Sequence, residues 1–202
     1  MNFETIIIFG IGAVGSNTVM NLIYDLPTVD IIVVDMDKVE MRNYSAGTQP
    51  YNKNHLNKFK TQALQMEVFA RTGKKITFHN LEIKSKKDVE AIIKGVKKEG
   101  GILIVDAFDN ALSRNYLHDL KGVEILHAGF SPDMTAEVIW DDMWNMQETK
   151  KPNTTDICTQ QGARSFIMSV TSILCLVITN YYFNGKMDNL YFDKSLNLKL
   201  LK

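Results

Sequence analysis

The sequence predicts an α/β fold: a mainly parallel sheet with helices on both faces and antiparallel strands toward the C-terminus. Three observations predict it. Apolar runs of strand length recur and end in glycine or an acid, as at Thr5–Phe9, Asp30–Val34 and Ile102–Val105. Segments with helical apolar spacing separate them. The first junction, between strand and helix, is Gly10-Ile11-Gly12-Ala13-Val14-Gly15, a phosphate-binding turn of the Rossmann type.

Each residue of that opening has a physical reason. Gly10 permits the tight turn out of the strand, and Gly12 lets a phosphate approach the backbone. Gly15 lets the new helix pack closely on the strand, while the helix N-terminus presents unpaired N–H groups and positive dipole. Asp35 ends the second strand twenty residues after Gly15, where a carboxylate can take the hydroxyls of a ribose. These residues alone suit several nucleotides, an NAD(P)-linked oxidoreductase included.

Farther along, Met36–Tyr51 lacks periodicity and contains Gly47 and Pro50, so it is expected to be a functional loop. Asn54–Arg71 carries a helical stripe stopped by Gly73. Ile76–His79 is a short strand, and Lys86–Lys98 a helix whose lysines form a solvated face. Ile102–Val105 is a central strand running into Asp106. Asn110 caps a helix over Ala111–Leu120. Val123–Ala128 and a reversing strand, Thr135–Trp140, precede a polar loop at Asp141–Thr159. Phe166–Phe183 holds eighteen residues without a charge, but its Ser169, Thr171, Ser172, Thr179 and Asn180 mark a buried core helix rather than a membrane span. A hairpin over Asn189–Leu200 closes the chain.

Composition limits the possibilities. The 202 residues suffice for one domain, taken as 1–202, with 45% hydrophobic residues and formal net charge zero. Neither nucleic-acid binding nor membrane insertion is expected. Two cysteines, Cys158 and Cys175, make no disulfide framework and no four-ligand cysteine site, so structural zinc is not expected. His55, His79, His118 and His127 show no metal-ligand spacing. The first residues lack the basic region of a secretory signal, and a cytoplasmic location follows as the expectation.

Four segments in order resemble the ThiF/MoeB family, relatives of the ubiquitin-activating enzymes. Asp35-Met-Asp37-Lys-Val39-Glu40-Met-Arg42-Asn43-Tyr44 is similar to the family's Asp-x-Asp-x-Val-x-x-x-Asn-Leu. Asn57-Lys58-Phe59-Lys60-Thr61 resembles its Gly-Lys-Pro-Lys-Ala. Asp106-Ala107-Phe108-Asp109-Asn110, followed by Arg114, resembles its Asp-x-x-Asp-Asn…Arg segment. Cys158-Thr-Gln-Gln-Gly162, leading into the long apolar helix, resembles its Cys-x-x-x-Gly.

The resemblance implies ATP-dependent adenylation of a carboxylate, usually the C-terminal glycine of a small ubiquitin-like or sulfur-carrier protein, by a homodimer or heteromer. Joining a carboxylate to a phosphate brings two anions together, so such a site needs fixed cations and a metal rather than a strong base. By resemblance Gly10, Gly12 and Gly15 take the phosphate side, Asp35 and Asp37 the ribose side, and Lys60 the phosphate charge. Asp109 holds Mg²⁺, and Asn43 and Asn110 position groups around the nucleotide. Cys158 is either a covalent relay or an ordinary loop cysteine.

Departures matter as much. Where the family continues Asn-Leu-x-Arg-Gln, this chain reads Asn43-Tyr44-Ser45-Ala46-Gly47, so Ala46 stands in place of an arginine. Arg42 or a partner subunit is the expected substitute; otherwise the chain is a catalytically weak, nucleotide- or carrier-binding partner of the same fold. Lys60 comes one residue late relative to Asp35, and the family's Cys-x-x-Cys pairs are absent.

Overall fold

β1 (Thr5–Phe9) is buried along its whole length at the interior of an eight-stranded sheet. The computed structural model describes residues 3–96, 100–118, 120–144, 160–195 and 197–201. From β1 the chain passes through α1 (Ala13–Asp25) to β2 (Asp30–Val34), which pairs parallel with one edge of β1. Then come α2 (Met41–Ser45), α3 (Lys60–Thr72) and β3 (Thr77–His79), which extends the sheet on the same side. After α4 (Lys86–Gly95), β4 (Ile102–Asp106) pairs with the other edge of β1, and beyond α5 (Ala111–Leu117) β5 (Glu124–Phe130) lies beside it. The strand order therefore reverses between β1 and β4, the place where an open parallel sheet forms a crevice at its carboxyl ends.

The rest of the sheet turns antiparallel, as expected: β6 (Thr135–Trp140), then, after α6 (Ala163–Asn184), the hairpin of β7 (Asn189–Asp193) and β8 (Leu198–Leu201). Alternation of side chains divides the core in two. Ile6, Ile8, Val33 and Val105 face α1, α3 and α6, whereas Ile7, Phe9, Val34 and Ile104 face α4 and α5. α6 is the one helix among the described residues long and apolar enough to cross a membrane by length and composition. It packs along α1, and its Val170, Leu174 and Ile178 are buried in the core that the two helices share with the sheet. Two of its apolar side chains, Leu176 and Phe183, face solvent.

Two expectations need correction. The stripe at Asn54–Arg71 is not one helix. Lys53–His55 forms a single 3₁₀ turn, Asn57 adopts φ +66°, and α3 starts only at Lys60. The intervening residues pair instead with 37–39: Val39 N–H donates to Lys58 O at 2.8 Å, and Asn57 N–H to Val39 O at 2.9 Å. That tertiary pairing satisfies the backbone groups that a helix would have used. Likewise Met36–Tyr51 is not wholly irregular, because α2 forms behind a capping box in which Glu40 N–H donates to Asn43 Oδ1 at 2.7 Å. The remaining helices and strands match in kind, their ends differing by a few residues, and residues 145–159 of the expected polar loop lie outside the described residues.

Candidate functional site

The three glycines of the opening turn have different jobs. A Cβ at Gly15 would lie 2.0 Å from Gly10 O, and at Gly10, whose φ is +85°, 2.6 Å from Ala107 O. Both are fixed by the fold: one lets α1 sit against the turn, the other lets β1 and β4 end side by side. A Cβ at Gly12 would meet nothing within 4 Å. Gly12 is the N-cap of α1 and has no side chain to cap it, and the first turn carries no acid. The first N–H groups of a helix have no partner within it. Open space above unpaired donors at a positive helix end is what a phosphate requires.

Asp35 encloses this turn from β2. It is 8% exposed, and its carboxylate accepts from Ile11 N–H at 2.6 Å and from Asp37 N–H at 2.7 Å. Burial pushes its pKa up, while the charge of Lys60 and the two backbone donors pull it back. Each carboxylate oxygen retains a lone pair for a further donor, so a ribose hydroxyl remains compatible with this geometry. Tyr51 donates from its hydroxyl to Ile11 O at 2.9 Å, and burial raises that phenol well above its ordinary value.

Lys60 opens α3 beside this acid. Its side chain is 11% exposed, and Nζ lies 2.7 Å from Asp37 Oδ2. Asp37 is itself 53% exposed in its side chain, so the ammonium is held from one side and can exchange that partner for a ligand anion. Gly12, Asp35, Asp37 and Lys60 thus converge, as the motif register requires.

The β4–α5 turn forms the opposite wall. Asp109 is exposed there. Asn110 accepts from Ser113 N–H at 2.8 Å and so caps α5, which leaves its amide N–H groups for any positioning role. Arg114 pins the turn to β5, donating from Nε to Phe108 O at 2.8 Å and from Nη2 to Ala128 O at 2.5 Å. The absence of a side chain at Gly129 admits this guanidinium; a Cβ there would lie within 2.4 Å of Nη2.

Other expected residues stand differently. Asn43 is buried and its side-chain oxygen is engaged in the capping box of α2. Arg42 points outward on α2 with Nε 2.8 Å from Glu40 Oε2, its side chain 65% exposed. Ala46 is the C-cap of α2. The cation beside it is Arg164, in the first turn of α6, which donates from Nε to Gly47 O at 2.9 Å. Arg164 escaped the sequence reading, although it follows Gly162 by two residues. Cys158 lies outside the described residues. Cys175 is a buried core residue whose thiol is pushed up to about 12 by burial.

His55 is buried in the 3₁₀ turn, where its Nδ1 accepts from Asn52 N–H at 3.2 Å, a structural role. His118 and His127, which show no metal-ligand spacing in the sequence, converge with Asp141 on the α5 face of the sheet. No spacing could reveal this, because the three come from a helix end, a strand and a turn.

A sequence model of the ThiF family matches residues 2–180. Among solved structures, Escherichia coli MccB crystallised with ATP superposes with a TM-score of 0.74 at 14% identity, covering 100% of this chain and 64% of that one. MccB from the same organism with AMPCPP and MccA gives a TM-score of 0.74 at 13% identity, covering 98% and 63%. PaaA gives 0.69 at 13% identity, covering 98% and 72%. The chain therefore spans slightly less than two thirds of the MccB chains it matches. No curated protein matches its sequence.

Proposed function

The chain belongs to the ThiF family, and from that premise we propose that it adenylates a carboxylate with ATP. The carrying observation is the placement of Lys60: a nearly buried ammonium, ion-paired at 2.7 Å to Asp37, beside Asp35 and the open space at Gly12. Hydride transfer has no use for a cation there; phosphate chemistry does.

The residues divide the work as follows. The N-terminus of α1 and the space at Gly12 receive phosphate oxygens. Asp35, already holding Ile11 N–H, takes ribose hydroxyls with its remaining lone pairs. Lys60 releases Asp37 to offset charge as a carboxylate oxygen bonds to the α-phosphorus and the bond to pyrophosphate breaks. The exposed Asp109 suits a hard, largely hydrated cation such as Mg²⁺, which when bound would offset the charge on the leaving group. Arg164, beside Gly47, takes the place of the arginine replaced by Ala46, in preference to Arg42, which is paired outward with Glu40.

The acceptor we propose is the C-terminal carboxylate of a small ubiquitin-like or sulfur-carrier protein, or of a short peptide. The fold shared with MccB, which has been crystallised with ATP and with MccA, supports both. A homodimer or heteromer in the cytoplasm completes the proposal. Ala46 favours a second reading, a nucleotide-binding partner subunit of low activity.

Exchange of labelled pyrophosphate into ATP tests the first reading, with Mg²⁺ and either a carrier ending in glycine or a peptide acceptor. Exchange that depends on the acceptor, and falls at least 100-fold in Lys60→Ala and Asp109→Ala, supports adenylation. Tight ATP binding with no exchange, alone or with partner subunits, supports the second reading. Binding of NAD but not ATP would overturn both.

A further inference from the structure

We propose that His118, His127 and Asp141 form a binding site for one divalent cation of the zinc class, separate from the nucleotide cradle. The three ligand atoms lie within 4.8 Å of one another. Asp141 Oδ1 is 2.6 Å from His118 Nδ1 and 2.8 Å from His127 Nε2. Two imidazoles and one carboxylate are a zinc ligand set.

Proton accounting points the same way. His127 is fully buried on β5 and meets a carboxylate at each ring nitrogen: Asp106 Oδ2 at 2.8 Å from Nδ1, and Asp141 Oδ1 at 2.8 Å from Nε2. A neutral imidazole carries one N–H and one lone pair. Once Nδ1–H donates to Asp106, the Nε2 lone pair faces a carboxylate lone pair. Something positive has to sit between them, either a second proton or a metal ion. His118 converges on the same oxygen, so one divalent ion answers both contacts.

The outer shell has the required form. A carboxylate that accepts from the distal nitrogen of a ligating histidine fixes its tautomer and raises its basicity; Asp106 holds that place. It is completely buried, accepts from Phe108 N–H at 3.0 Å, and lies 3.8 Å from Arg114 Nε. Trp144 covers the cluster, stacked on His127 at 4.3 Å between ring centroids and 5.2 Å from His118. A tetrahedral ion with bonds of about 2.0 Å separates its ligand atoms by about 3.3 Å, so the contacts of 2.6 and 2.8 Å must open by roughly 0.5–0.7 Å. His118 ends a helix with its side chain 39% exposed and can open the first contact, and a small rotation of the Asp141 side chain, 20% exposed, can open the second. Asp106 also pairs with Phe9 at the end of β1, which joins this site to the strand ends that carry the cradle.

The full chain, freed of metal by a chelator and dialysed, is titrated with cobalt(II) and then zinc(II). One equivalent of cobalt should give the visible absorption of a tetrahedral ion, and one equivalent of zinc should remove it. His118→Ala and Asp141→Asn should each weaken binding at least tenfold. Asp106→Asn, which touches no ion, should weaken it 10–100-fold. His118→Ala lies at a partly exposed helix end, and its circular dichroism should match the parent. The proposal is overturned if the chain takes up no stoichiometric cobalt, or if binding survives the His118→Ala, Asp141→Asn double variant. Metal content is the readout throughout, so the result is independent of whether the chain adenylates anything.

Discussion

Gly12→Ala should abolish nucleotide binding while leaving the fold intact, and Gly15→Ala should do the reverse damage. At Gly12 the backbone φ is −80° and a Cβ finds no atom within 4 Å. Losing glycine at an N-cap costs about 0.5–1 kcal/mol, and the lower entropy of the unfolded chain returns about 0.4–1 kcal/mol. The melting temperature should therefore stay within about 3 °C of the parent. At Gly15 the added carbon lies 2.0 Å from Gly10 O. Both partners are backbone, so α1 or the end of β1 must shift, at about 1–3 kcal/mol or more, lowering the melting temperature by at least about 2–4 °C. ATP at one hundred times its dissociation constant adds about 2.7 kcal/mol, or about 5–11 °C in a domain of this size. Differential scanning fluorimetry with and without Mg-ATP reads both quantities. The parent should show the shift, and Gly12→Ala should melt normally without it. A full ATP shift in Gly12→Ala, or a loss of stability there equal to that of Gly15→Ala, would refute this view of the cradle.

Three further outcomes can be checked. Arg164→Ala should lower adenylation at least 100-fold with little change in melting temperature, whereas Arg42→Ala should change it less than threefold; steady-state exchange rates decide between them. The Cys175 thiol, pushed up to about 12 by burial, should resist a thiol reagent in the native chain at neutral pH, so that Cys158→Ser removes all rapid labelling. Asp35 has a folded pKa raised by burial. Its contribution to stability is fully present below its unfolded value of about 3.9 and is lost as pH rises through the folded value. Denaturant unfolding should show the parent losing stability relative to Asp35→Asn as pH rises through that window; a difference that moves the other way contradicts the burial argument.

Much of the fold was legible because its signals are local. TIIIF, DIIVV and ILIVD are apolar on both faces, as strands of a covered parallel sheet must be, and all three pair with a strand on each side. The turn geometry was legible for the same reason, since Gly10, Gly12, Gly15 and Asp35 keep their spacing within one βαβ unit. Lys60 was found through its motif, but the helix containing it was extended too far back. The left-handed Asn57 and the pairing of 57–60 with 37–39 are tertiary facts that override a helical stripe. Arg164 and the histidine cluster were not legible at all. Arg164 reaches Gly47 across 117 residues of sequence, and Asp141 reaches His118 and His127 across 23 and 14. Only the folded sheet defines such neighbours.

In the proposed reaction a carboxylate oxygen attacks the α-phosphorus of ATP bound at Gly12, Asp35 and Lys60. Labelling that carboxylate with ¹⁸O, in whichever acceptor supports exchange, tests it most directly. After the activated acyl group is passed to a nucleophile, the AMP released should carry one ¹⁸O, with pyrophosphate as the other product. AMP without the label, or ADP and phosphate in its place, would contradict the account.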